Sequence, residues 1–255
     1  MSDPIAHVAR RLRNSNRIAI VTGAGISAES GLRTFRETME GLWKEFDPQK
    51  LATPEAFLRD PATVTKWYDH RRMGCLAAEP NPGHLALAAM EKRLESVGGE
   101  CIVFTQNVDR LHQRAGSDHV VELHGSIVEW RCIETGEVFE PPHEPFTVFP
   151  PPSPFAPDGI LRPNVVWFGE ALPEQALQTA FRYVPQCDLF FSIGTSSVVY
   201  PAAGFVDLAA DAGAFTVEIN KDDTPASRRV DVTIRGSAGA VMPAIVHAAW
   251  GDPLR

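Results

Sequence analysis

A chain of 255 residues, 44% hydrophobic and 22% charged, can bury a sizeable core and suits one domain that carries a smaller lobe. Its formal net charge of −8 argues against a nucleic-acid binder, because neutralising phosphate takes clustered Lys and Arg. No apolar run reaches the roughly twenty residues of a membrane helix, and Met1-Ser-Asp-Pro-Ile-Ala-His7 has no basic segment leading into an apolar one, so a cytoplasmic monomer is expected.

Arg17–Thr22 reads as a buried strand broken by Gly23, and residues 36–80 look mostly helical. A helix is expected over 83–96, with Pro82 near its start and Leu85, Leu87, Ala88 and Leu94 on its apolar face. Strands follow at 101–105, ahead of Gln106-Asn107, and at 120–124, stopped by Gly125. Nine of the 21 prolines fall between Pro141 and Pro163. Residues 130–163 therefore cannot supply central strands or long helices, although Phe139, Phe146, Phe149 and Phe155 favour a packed segment. Helices at 173–183, 201–212 and 240–250 then alternate with strands at 188–193, 215–219 and 230–234.

Near-continuous apolar strands separated by helices indicate an α/β fold, a Rossmann-like parallel sheet with helices on both faces. The expected division is a large lobe of 1–35, 81–129 and 164–255, with a small lobe made of two insertions, 36–80 and 130–163.

Gly23-Ala24-Gly25-Ile-Ser27-Ala28 follows the first strand and fits G-x-G-x-x-A. Gly23 permits a tight turn, Gly25 lets the backbone approach a pyrophosphate, and Ala28 keeps the next helix close to the sheet with its N–H groups facing the anion. A dehydrogenase would show an acidic residue about twenty positions on, at the end of a second strand. Here that region reads Gly41-Leu-Trp43-Lys-Glu-Phe-Asp47 with no strand before it, so the hydride-transfer fingerprint fails at its second half.

The run Gly23-Ala-Gly-Ile-Ser-Ala-Glu-Ser-Gly-Leu-Arg-Thr-Phe-Arg36 resembles the signature of the sirtuins, NAD-dependent protein lysine deacylases. Further matching segments follow in order: Thr105-Gln-Asn-Val-Asp-Arg-Leu-His112, Glu122-Leu-His-Gly-Ser126, Leu161-Arg-Pro-Asn-Val-Val-Trp-Phe-Gly-Glu170, Ile193-Gly-Thr-Ser-Ser-Val-Val-Tyr-Pro201 and Glu218-Ile-Asn220. The likeness spans about Arg17 to Pro243.

The resemblance implies that NAD is a co-substrate. The acyl-lysine carbonyl oxygen would attack C1′, nicotinamide would leave, and His124 would act as general base on a ribose hydroxyl. The products would be free lysine and O-acyl-ADP-ribose. Imidazole suits that task because it titrates near neutral pH. By the same resemblance Asn107 and Asp109 line the nicotinamide pocket, with Gln106 against the ribose. Gly23, Ala24, Gly25, Ser27, Ala28, Thr34, Phe35, Arg36 and Trp43 hold the cofactor on one side. Gly194, Thr195, Ser196, Asn220 and Ala238 hold its phosphate, ribose and adenine parts on the other. Val166-Trp167-Phe168-Gly169 is the strip that pairs with an extended substrate peptide, by strand addition. The alternative for Asn107 and Asp109 is a helix N-cap with an acidic first turn, which is compatible with the pocket role, while His84 reads as structural or surface and His112 as structural.

Tyr68 and Arg71 are three apart on an expected helix and share a face. The sirtuin branch that removes acidic acyl groups carries Tyr-x-x-Arg here, with a small residue where Ala52 stands. A phenol and a guanidinium can together hold a terminal carboxylate. The expected preference is succinyl- or malonyl-lysine in a protein or peptide over acetyl-lysine, although an exposed charged helix face would give the same spacing.

Most sirtuins bind zinc through four cysteines in the small lobe. Here Cys75, Cys101, Cys132 and Cys187 are scattered, and only Cys132 lies in that segment, with His143 as the one nearby histidine. Two candidate ligands cannot make a four-ligand site, so no metal is expected. Two rival readings share the first chemical step or none: ADP-ribosyl transfer or NAD hydrolysis, and a non-catalytic NAD-responsive binder. The Tyr68/Arg71 pair argues against the former and His124, Asn107 and Asp109 against the latter.

Overall fold

The computed structural model describes residues 3–32 and 51–251. The expectations placed on Thr34, Phe35, Arg36 and Trp43 lie outside these residues.

The large lobe contains α1 (Pro4–Arg13), β1 (Arg17–Thr22) and a single helical turn, α2 (Ala24–Ser27). After α3 (Pro54–Arg59) and α4 (Pro61–Ala77) of the small lobe come α5 (Pro82–Glu95), β2 (Glu100–Thr105), α6 (Leu111–Arg114) and β3 (Val120–Glu122). The chain then passes through β4 (Gly125–Cys132), β5 (Val138–Phe139) and β6 (Leu161–Val165). It ends with α7 (Glu174–Tyr183), β7 (Leu189–Ile193), α8 (Phe205–Asp211), β8 (Phe215–Asn220), β9 (Val232–Arg235) and α9 (Ala238–Trp250).

Helix starts repeat one local device. Asp3, Thr53, Asp60 and Asn81 each cap a backbone N–H, and each is followed by a proline in the first turn. The cap satisfies a donor the helix cannot, and proline occupies a position where no N–H is needed.

Six strands form one parallel sheet in the order β3-β2-β1-β7-β8-β9. Alternation along the strands makes two cores. Ile18 and Ile20 of β1 pack with Leu12, Leu87, Met90, Met242 and Ile245 from α1, α5 and α9. Ala19 and Val21 face Tyr183, Phe205 and Val206 on the other side. The Rossmann-like expectation is met, and the strand order reverses at β1, the switch point where ligands bind in such sheets.

A second, antiparallel sheet runs β5-β4-β6. It carries a third core, in which Phe57, Val64, Trp67 and Tyr68 pack on Ile127, Trp130, Leu161 and Trp167. Gly125–Cys132 and Leu161–Val165 pair in this sheet, which runs past both ends of the 130–163 segment. The proline rule holds in a limited form: Pro163 sits in β6, an edge strand, where a missing N–H is tolerated. In the proline-rich segment Phe146 meets Trp130 (4.8 Å between ring centres), and the exposed Phe155 meets Phe139 (5.5 Å). No described helix is long and apolar enough to cross a membrane.

Candidate functional site

Three loops meet at the carboxyl ends of β1, β2 and β7. Behind β1, Gly23 N–H donates to Ile193 O (3.1 Å) and Gly25 N–H to Gly194 O (2.9 Å). A Cβ on Gly25 would stand 2.7 Å from both Cα and O of Gly194, and one on Gly23 would stand 2.9 Å from Gly194 O. Gly194 has φ +61°, and its own Cβ would meet Ile26 N at 2.5 Å. The two glycine turns expected to hold opposite parts of one ligand therefore pack against each other. The helix after Gly23 is one turn long, and the Gly25 and Ile26 N–H groups already bond Gly194 O and Gly23 O. Its dipole can offer an anion little; the glycines are required by the turn-to-turn contact itself.

Below this contact lies a closed polar network. Ser27 Oγ donates to Asp109 Oδ2 (2.8 Å) and accepts from Asn107 Nδ2 (3.0 Å), which also reaches Gly23 O (3.2 Å). Asp109 Oδ1 accepts from Leu111 N–H (2.9 Å), two residues on, although the N-cap position of that helix is Arg110. Burial raises the Asp109 carboxyl above its usual range despite these donors. His84 completes the network: its Nδ1 accepts from Asn81 N–H and its Nε2–H points to Ser27 Oγ, both at 3.4 Å, so the ring is neutral. Burial holds its pKa down to about 4. His84 and His112 are both fully buried, so the surface alternative for His84 falls away. Thr105 Oγ1 accepts from Asn107 N–H (3.0 Å) and from Thr22 Oγ1 (2.9 Å), which joins both threonines to the network; the sequence assigned no part in it to Thr22, Thr105, Asn81 or His84. The available signal was a threonine closing each of two otherwise apolar strands.

His124 lies between β3 and β4, where the chain leaves one sheet for the other. Its Nδ1 is 2.9 Å from Gln106 O. A carbonyl only accepts, so Nδ1 carries the hydrogen and Nε2 keeps its lone pair. Burial, partly offset by that hydrogen bond, lowers its pKa from the ordinary value. The ring is thus a neutral base near pH 7. Gly125, at φ +73°, lets Asn164 O come so close that a Cβ would collide with it. That approach brings β6 and the following strip against the histidine, and Val166 N–H donates to His124 O (2.9 Å).

The strip continues under the small lobe. Phe168 N–H donates to Ala52 O (2.9 Å), while Phe168 is exposed and Gly169 turns at φ +90°. Trp167 is buried, its ring centre 6.2 Å from that of Tyr68, so its side chain belongs to the core, while its N–H donates to Glu170 Oε2 (2.8 Å) and its carbonyl accepts from Glu170 N–H (3.0 Å). Tyr68 is buried as well, which pushes its phenol up to about 12. Arg71 Cζ is 5.7 Å from the Tyr68 ring centre and 4.8 Å from that of Trp67. Ala52, Tyr68, Arg71 and the strip are therefore brought together.

On the far side, Asn220 Nδ2 donates to Thr195 O (2.7 Å), and Thr195 Oγ1 contacts Ser197 Oγ (2.9 Å), with Ser196 half-buried between them. Ala238 is the first residue of α9. Glu29 fastens that helix end, accepting from Ser237 Oγ and Gly239 N–H at 2.8 Å each. Ala24 and Ala28 stand half-buried at the two ends of α2.

A family model described as the Sir2 family matches residues 23–201. NAD-dependent protein deacylase 2 of Pyrobaculum aerophilum is 48% identical over 243 residues, 94% of each chain. The mitochondrial NAD-dependent protein deacylase sirtuin-5 of Danio rerio is 41% identical, over 90% of this chain and 82% of the relative. A solved Sir2 homolog–NAD complex superposes with TM-score 0.88 at 41% identity, covering 95% of this chain and 93% of that one. The chain belongs to the Sir2 family.

Proposed function

We infer that this chain is an NAD-dependent protein-lysine deacylase in which His124 is the general base and Asn107 and Asp109 line the nicotinamide pocket. The activity rests on relatives at 41–48% identity named for it; the observation that carries the residue assignment is the His124 Nδ1–Gln106 O bond, which leaves Nε2 as a lone pair. The residues suit a dinucleotide: Asn107, Asp109 and Ser27 form a polar end beside the packed glycine turns of Gly23, Gly25 and Gly194. Bound NAD would supply an activated glycosidic bond to nicotinamide. Gln106 both orients His124 and faces the sugar, and His124 Nε2 takes the proton from a sugar hydroxyl. Gly194, Thr195, Ser196, Asn220 and Ala238 hold the adenosine half. The 166–169 strip and Ala52 receive the acyl-lysine peptide as an added strand.

The finer reading is a preference for succinyl- or malonyl-lysine, with Tyr68 and Arg71 on the acyl carboxylate. A phenol kept protonated to about pH 12 donates a hydrogen bond at every working pH, and Arg71 lies against its ring. Nicotinamide release is the test. Release only with acyl-peptide supports deacylation, and release without peptide would indicate hydrolysis or ADP-ribosyl transfer. Equal kcat/KM on succinyl and acetyl peptides, unmoved by Arg71→Met, would refute the acyl preference.

The same reading holds the small lobe together without zinc. Cys132 Sγ donates to Glu134 Oε2 (3.2 Å), which also accepts from Ile160 N–H (3.2 Å), and no other cysteine or histidine among the described residues joins Cys132 in a ligand cluster.

A further inference from the structure

Arg131 of β4 and Arg162 of β6 stand directly opposite each other. Opposite residues of an antiparallel pair share a face, and like charges so placed repel. One carboxylate serves both. Glu170 accepts from Arg162 through Oε1 (2.6 Å) and Oε2 (2.9 Å), and Oε2 also takes Trp167 N–H (2.8 Å). What reaches Arg131 is a 3.7 Å approach of Oε1 to Nη2, too long for a hydrogen bond. Arg162 is sunk against Trp167, its Cζ 3.3 Å from the ring centre, and its side chain is 8% exposed against 37% for Arg131. Two guanidiniums thus share one carboxylate, and the undercompensated charge is on the one that meets solvent. Burial, and then repulsion from Arg162, lower the pKa of Arg131. The nearby Glu129 is already engaged by Arg110 and by Asn164 Nδ2.

Arg131 and Glu170 line a cavity of about 420 Å³ together with Asn164, Val165, Val166 and Ala171. Val166 is the residue held by His124 O and the first of the strip, so the cavity lies alongside the path of an extended acyl peptide. Resting on the deacylase reading above, we propose that this cavity is a subsite for an acidic side chain flanking the acyl-lysine, its carboxylate pairing with Arg131. A net charge of −8 disfavours acidic peptides at long range, so a preference for them requires a local cation such as this one.

The test is kcat/KM on acyl-lysine peptides that carry Glu, Gln or Lys at each of three positions on either side of the acyl-lysine. At one position Glu is expected to exceed Gln by about threefold or more at low salt, with the ratio falling toward one as salt rises. The Glu-to-Gln ratio, taken within each variant, should vanish in Arg131→Gln, survive in part in Arg131→Lys and invert toward Lys in Arg131→Glu. A ratio is readable even if a variant is less active or less stable. Turnover without any Glu preference, or a preference that survives Arg131→Gln, overturns the subsite alone. No turnover on any peptide overturns the deacylase reading and the subsite with it.

Discussion

His112 makes the fold acid-sensitive in a way that can be isolated. Thr22 Oγ1 donates to Thr105 Oγ1 (2.9 Å), so its oxygen accepts from His112 Nε2–H (2.9 Å). Nδ1 is then a lone pair, buried and without a partner. Protonating it would put a charge with no acceptor into a dry site, next to the His84 ring 4.9 Å away. Burial first, and His84 second, hold its pKa down to about 3, against an ordinary 6.5. The unfolded chain therefore binds a proton that the folded one refuses. Stability is full above about pH 6.5 and is lost as pH falls toward the folded value, by about 1.4 kcal/mol per pH unit. That slope depends only on the two protonation states and not on how low the folded pKa lies. Gln at 112 can still donate to Thr22 but does not titrate. His112→Gln is expected to be less stable at neutral pH, yet to lose about 1.4 kcal/mol less per pH unit between about pH 5.5 and 4.5. Urea unfolding at closely spaced pH values measures both slopes, and carboxylate contributions cancel in the difference. Parallel slopes would refute the neutral, unpartnered histidine.

Gly25→Ala is expected to cost about 1–3 kcal/mol by overpacking against Gly194 and to weaken NAD binding at least about tenfold; calorimetric titration checks this. Gly31→Ala, with open space around its Cβ, should cost only the strain of its positive φ, about 1–2 kcal/mol, and leave NAD affinity unchanged. The acid limb of kcat/KM should report a pKa below 6.5, because His124 is lowered by burial, and His124→Ala should lose about 100-fold or more in deacylation; a limb above 6.5 would contradict the assignment. Metal analysis after gel filtration should find far less than one zinc per chain, and a chelator should leave Tm unchanged; one zinc per chain would overturn the zinc-free lobe.

Much of this was legible in the chain order of residues. Six apolar runs became six parallel strands because buried strands need no partner to announce themselves. Gly23 and Gly25 marked the turn, and His124 before Gly125 marked the edge. The antiparallel sheet was not legible: its strands are separated by the proline-rich segment, and Pro163 argued against β6 until the fold made that strand an edge. Trp167 read as part of a peptide strip, yet only packing could show that its backbone and side chain serve different neighbours.

The sequence by itself determined the parallel sheet and the glycine turns, since periodicity and turn chemistry are local properties; Asn107, Asp109 and His124 it singled out through their resemblance to the sirtuin motifs. The tertiary structure alone decided that Gly25 is needed by Gly194 and not only by a ligand, that His124 keeps its lone pair on Nε2, and that Arg131 shares one carboxylate with Arg162. These depend on which distant residues meet, and hydrogen-bond direction and charge balance exist only once they do.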